Sequence, residues 1–143
     1  MAGKDYYLEL PLHALTDPAM LRLMQRRGME GVGCYVGLCA ALTIAYNEGR
    51  GLSREDVEGL AFSWHMEPEE LFSMCDDMAE FGLISHEMWR DPDGPSVGID
   101  FVAERRMYRM KRAEAGRAGM SSRWGKKKEA DGEAGDGACD GLQ

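Results

Sequence analysis

Apolar residues recur along this chain with two different periods, and the change of period divides it. Asp17-Pro18 places a capping residue before a proline suited to a first helical position. Met20, Leu23 and Met24 follow at helical spacing, and Arg26-Arg27 stand ahead of Gly28, so a helix is expected over residues 17–27. A stronger helix is expected over residues 29–47. Val32, Tyr35, Val36, Cys39, Leu42, Thr43 and Tyr46 share its 3.6-residue period, and Gly49 and Gly51 punctuate its end. A short extended stretch is expected near residues 50–52. Ser53, three positions before Asp56, forms a near-capping box for a third helix carrying Val57, Leu60, Ala61 and Trp64. Glu67-Pro68-Glu69-Glu70 opens a fourth, whose stripe is Leu71, Met74, Cys75, Met78 and Phe81, and Gly82 stops it.

Beyond Gly82 the pattern turns to short apolar runs. Residues 83–89 and 97–101 are expected to form a β-hairpin, with Val97, Ile99 and Phe101 alternating onto one buried face. The seven residues between them, 90–96, are dense in turn formers. A last helix is expected over residues 102–113. From Ala113 onward the only large apolar residues are Met120, Trp124 and Leu142, too few to offset ordering entropy, so residues 113–143 are expected to be a flexible tail. The expected fold class is mainly α with a small β-hairpin (α+β): a winged helix-turn-helix domain over residues 1–112, carrying a C-terminal basic helix, and then a disordered tail. Ser53–Trp64 and Glu67–Phe81 would be its helix-turn-helix.

Charge changes this picture more than composition does. The 143 residues carry a net charge of −8, which excludes a uniformly basic nucleic-acid coat. The sign is segregated. Residues 1–103 hold 7 Lys/Arg against 18 Asp/Glu, residues 104–128 hold 10 against 2, and residues 129–143 hold no base and 5 acids. An acidic body, a basic arm and an acidic end follow one another, so the arm is expected to meet a polyanion or to fold back on the body. Aromatics are only 8% and methionines number 11, so the core must rest on Leu, Met, Val and Ala. Residues 1–10 show no apolar secretory core and no run reaches the ~18 apolar residues of a membrane span, so the cytoplasm, with no membrane, is the expected setting. In that setting Cys34, Cys39, Cys75 and Cys139 are not expected to form a disulfide framework, and the first three read as small buried hydrophobes.

The residues resemble a known family. The stretches "DYYLELPLHAL", "GVGCYVGLCAALTIAYNEG", "LSREDVEGLA", "EPEELFSMCDDMAEFGLIS" and "RRMYRMKRAEAGRAGMSSRWGKKK" are similar to the N-terminal winged-helix domain of phage and prophage replication proteins, related to that of DnaD-type primosome proteins. About four-fifths of the chain takes part. The resemblance implies a winged helix acting in replication initiation, helicase recruitment or regulation on a mobile element. It also implies self-association through that domain, and a second domain in longer members.

Each phosphate contacted normally requires a Lys or Arg. The helix at the recognition position has none. It carries Glu67, Glu69, Glu70, Asp76, Asp77 and Glu80 instead, which argues against its insertion into a major groove. The candidate DNA-binding residues therefore lie behind the hairpin. They are Arg105, Arg106, Arg109, Lys111 and Arg112 on the last helix, then Arg117, Arg123, Lys126, Lys127 and Lys128 along the arm. Arg105, Arg109 and Arg112 share a helical stripe. Trp124 lies among the bases, where a ring can stack on an unpaired base.

Catalytic, cofactor and metal signatures are missing: there is no nucleophile elbow, phosphate loop, dinucleotide fingerprint or zinc-ligand spacing. His65 is expected in the turn of the helix-turn-helix. Asp76 and Asp77, being adjacent, face different ways and make a poor acid/base pair. The leading expectation is a non-catalytic DNA-binding module of replication or regulation, binding single- or double-stranded DNA. The alternatives are a protein-interaction or oligomerisation module that docks a replication protein such as a helicase, to which the acidic fourth helix and the methionines are suited, and a transcriptional regulator. Arg22, Arg26 and Arg27 read as dipole compensation and surface charge.

Overall fold

The computed structural model describes the backbone of residues 7–134 and the side chains of residues 7–119. It is mainly helical with one two-stranded antiparallel sheet. The elements are α1 (Pro18–Asn47), β1 (Leu52–Ser53), α2 (Arg54–Ser63), α3 (Pro68–Phe81), α4 (His86–Trp89), β2 (Ser96–Val97) and α5 (Asp100–Ala134). The chain divides into two units, Lys4–Arg106 and the stretch from Met107 onward.

The two expected N-terminal helices are the arms of α1, broken at Gly28. Gly28 has φ 66 and ψ −162, a conformation open to glycine and closed to most other residues. Met20 and Leu23 before the break, and Val32, Tyr35, Leu38, Cys39, Leu42 and Ala45 after it, are buried. α1 is long and apolar enough to cross a bilayer by length and composition, which corrects the expectation that no such run exists. Its apolar residues are the largest share of the core from any one element.

The capping box at α2 forms as the spacing requires. The Ser53 N–H donates to the Asp56 carboxylate at 2.9 Å, and the Asp56 N–H donates to the Ser53 hydroxyl at 3.2 Å. α3 begins with a proline in its first turn and ends on Gly82 in the left-handed region, as its sequence signals indicate. His65 sits in the turn between the two helices, also left-handed at φ 58. α3 packs on α1, and α2 packs on α3, over Leu71, Met74, Cys75, Met78, Val57 and Ala61, all buried. Cys34, Cys39 and Cys75 are free and buried, and burial pushes the Cys39 and Cys75 thiols up to about 12.

The hairpin is where sequence and structure part. Residues 83–89 are not a strand. Leu83 and Ile84 close the end of α3 by donating to the Met78 carbonyl, and Ser85 then caps the single turn of α4 by accepting from the Met88 N–H at 3.2 Å. The turn places Trp89 in the core, 2% exposed, with its indole N–H donating to Asp76 at 2.8 Å. A strand would alternate its side chains across two faces and forgo that bond. The strand partner of residues 96–97 is instead β1, with Leu52 opposite Val97 and Ser53 opposite Ser96. One backbone bond, from the Ser85 N–H to the Gly98 carbonyl at 2.7 Å, joins the two expected hairpin arms.

Residues 113–134, expected as part of a flexible tail, are helical, and residues 135–143 lie outside the described residues. The stretch is rich in Ala, Lys, Arg and Glu, whose helix propensities are high, and four glycines, at 116, 119, 125 and 132, interrupt them.

Gly37 sets a close approach. A Cβ there would lie 2.7 Å from Cη2 and Cζ2 of the Trp64 ring at the end of α2. Gly37→Ala is expected to displace the Trp64 ring from α1 and lower stability by about 1–3 kcal/mol, read by urea unfolding of the full chain. An unchanged midpoint would show that the ring yields freely.

Candidate nucleic-acid interface

The candidate basic residues divide between the two units. Arg105 pairs with Glu9 at 3.1 Å, and the Arg106 guanidinium lies 4.6 Å from the centre of the Tyr46 ring, a cation–π distance. Both are thus held within Lys4–Arg106. In the second unit Arg112 donates to the Tyr108 hydroxyl at 3.3 Å and lies 5.8 Å from that ring. Arg109 is half-buried, while Lys111, Arg112 and Arg117 are exposed. Arg123, Trp124, Lys126, Lys127 and Lys128 stand on the α5 backbone, and their side chains lie outside the described residues. The expected stripe of Arg105, Arg109 and Arg112 is therefore not three equivalent surface cations. Arg105 already has a carboxylate partner, whereas Lys111, Arg112 and Arg117 face water.

Most of the described basic residues of the body are engaged by the body itself. Arg26 donates to Asp77 and to Glu80, each at 3.0 Å, and lies 4.9 Å from the Phe81 ring. Arg27 donates to Asp77 at 2.7 Å and to the Ser73 hydroxyl at 2.6 Å. The pair read as dipole compensation is thus a tertiary clamp between α1 and α3. Its signal in the sequence was Asp77 itself. An acid set between Met74 and Met78 at the edge of a buried stripe requires a cationic partner, because an unpaired buried carboxylate is costly. Asp77 is 9% exposed. Burial pushes its carboxyl up, but the hydrogen bonds from Arg27 and Arg26 outweigh burial and hold it below the usual range.

Other cations are similarly occupied. Arg54 stacks over Phe72 at 4.2 Å and Trp89 at 5.5 Å. Arg50 pairs with Glu48 and Asp56, and Arg90 with Asp76 at 3.6 Å. Among the acids of α3, Asp76, Asp77 and Glu80 are ion-paired with body arginines, and Glu69 and Glu70 lie in its first turn, where they complement the helix dipole. A cleft of about 270 Å³ in the same unit is lined by Asp17, Asp100 and Glu104 and by no Lys or Arg, so it repels phosphate. No group of three His, Cys, Asp or Glu that could hold a metal occurs among the described residues.

Comparison with protein-family models, with curated proteins and with solved structures finds no match to this chain. Its fold class is defined by the architecture alone: a mainly helical α+β protein with one small antiparallel sheet.

The Asp77 clamp makes a measurable contribution. Asp77→Asn should lower the unfolding free energy by about 2 kcal/mol at neutral pH, the loss of charge-assisted bonds to two arginines. A carboxylate with a lowered folded pKa stabilises fully above its unfolded value, near 3.9, and loses that contribution as pH falls through the folded value. The urea midpoints of wild type and variant are therefore expected to converge in acid; a gap that persists there is the contrary result.

Proposed function

We propose that this protein is a non-catalytic DNA-binding module of winged-helix type, serving replication or its regulation on a phage or other mobile element, and that it holds DNA through α5 rather than α3. The observation that carries this reading is the distribution of cations. Arg26, Arg27, Arg50, Arg54 and Arg90 of the body are bound to its own carboxylates and rings, with Arg22 on α1 exposed, while residues 104–128 gather 10 Lys/Arg against 2 acids on one helix. A polyanion gains most where cations are concentrated and acids are few.

The winged-helix reading is supported by order and pairing. A strand lies between the first helix and a two-helix unit, and it pairs antiparallel with a strand that follows that unit. The middle strand of the wing has its place taken by residues 83–89, with the Ser85–Gly98 bond as the remaining link. A regulator that reads bases through α3 is disfavoured, because residues 67–81 contain no Lys, Arg, Asn or Gln for base edges.

A second reading adds a protein partner, such as a replicative helicase or a further copy. It is favoured by the apolar side chains that residues 7–21 leave exposed: Tyr7, Leu10, Leu12, Leu15 and Leu21.

Fluorescence anisotropy of the full chain with labelled DNA across a salt series tests the first reading. Lys111→Glu, Arg112→Glu and Arg117→Glu together are expected to weaken binding at least tenfold. The log–log salt slope should flatten by about 0.9 for each duplex phosphate that the variant no longer neutralises. Wild-type affinity in the triple variant would refute the assignment to α5.

A further inference from the structure

One face of α2 has no neighbour among the described residues. The helix packs on α3 and β1 and buries Val57 and Ala61. By helical register, Glu55, Glu58, Gly59 and Phe62 fall on the opposite side. All four are exposed, and Phe62 is 65% exposed. Among the described residues Asp56 is the ion-paired acid of α2, held by Arg50, while Glu55 and Glu58 face water. The face is thus acidic and ends in an uncovered ring. α5 carries its complement. Tyr108, Lys111, Arg112 and Ala115 recur at the same i, i+3, i+4, i+7 spacing. Tyr108 is 51% exposed, Lys111 and Arg112 are exposed, and the printed hydrogen bond of Arg112 goes to a neutral hydroxyl. No acid interrupts these four on their face: Glu114 lies about 110° round the helix, and Glu104 one turn earlier.

We propose that α5 of one copy packs antiparallel on α2 of a second copy, ring against ring, with the acids of α2 on Lys111 and Arg112. Both sets of four residues span about 10 Å of helix, so they match in length. Antiparallel alignment with Phe62 beside Tyr108 brings Glu58 opposite Arg112 and Gly59 opposite Lys111. Glu55 then lies opposite Ala115, one turn from both cations. The small Gly59 and Ala115 leave room for the longer side chains across from them at the usual 8–10 Å between helix axes. The occupant is a second copy because charge, spacing and ring all have their complement on this same chain. Each copy carries both faces, so a two-fold axis lets two copies exchange the contacts and close as a dimer. The proposal goes beyond the DNA-binding reading and does not rest on it. DNA and a second copy would compete for Lys111 and Arg112.

The test is sedimentation equilibrium of the full chain without DNA. The mass of the wild type is expected to approach two chains as concentration rises from about 10 to about 500 μM. It should fall back toward one chain as salt is raised from about 50 to about 500 mM, because exposed ion pairs are screened. Glu55→Lys/Glu58→Lys and Lys111→Glu/Arg112→Glu are each expected to weaken association about tenfold or more. All four changes in one chain should restore it to within about threefold of wild type, since the charges again oppose. Far-UV circular dichroism checks that helix content is kept, and recovery in the fourfold variant cannot come from misfolding. A wild type that stays one chain at every concentration, a dimer indifferent to salt, a reversal of either face without effect, or no recovery in the fourfold variant overturns the inference. Because no DNA is present, each of these results leaves the DNA-binding reading standing.

Discussion

A single carboxylate, Asp77, organises the charge of this molecule. It sits at the edge of the α3 stripe with little access to water, so it requires cations at fixed positions. Arg26 and Arg27 supply them from the last turn before the Gly28 break in α1. The break and the clamp belong together. The kink ends the first arm of α1 where two adjacent arginines reach α3, and the second arm then continues into the core over Val32, Tyr35 and Leu38. Ser73 and Glu80 complete the arrangement with further bonds to the same two arginines.

This arrangement determines what the surface offers to other molecules. α3 has three of its acids paired with body arginines, and the rest oppose any phosphate. Arg54 stacks over rings, and Arg50 and Arg90 pair with acids. The concentration of cations lies on α5, where acids are few and cations recur along a regular backbone. Segregation of charge along the chain thus carries into the fold: the body pairs most of its own cations and stays acidic, while positive charge collects on α5.

Much of this was legible from residue order. The capping box at Ser53, the proline-led start of α3, its stop at Gly82 and the break at Gly28 are local signals, each satisfied by atoms within a few residues. The region after Gly82 was not legible in the same way. Residues 83–89 are apolar enough for a strand, and a run of seven cannot distinguish a strand from a capped turn by periodicity. Asp76, thirteen residues upstream of Trp89, decides between them by accepting the indole N–H. The basic stripe was equally visible, but the pairing of Arg105 depends on Glu9, nearly a hundred residues away.

The sequence alone determined where helices begin and end over residues 17–82, which face of each is apolar, and that positive charge collects in residues 104–128. These are matters of spacing and local hydrogen bonding. Only the tertiary structure decided which strand pairs with residues 96–97, that Arg26 and Arg27 clamp α3, and which cations already have partners. Those outcomes turn on contacts between residues far apart in the chain, and Coulomb attraction and packing act on distance in space rather than on separation in sequence.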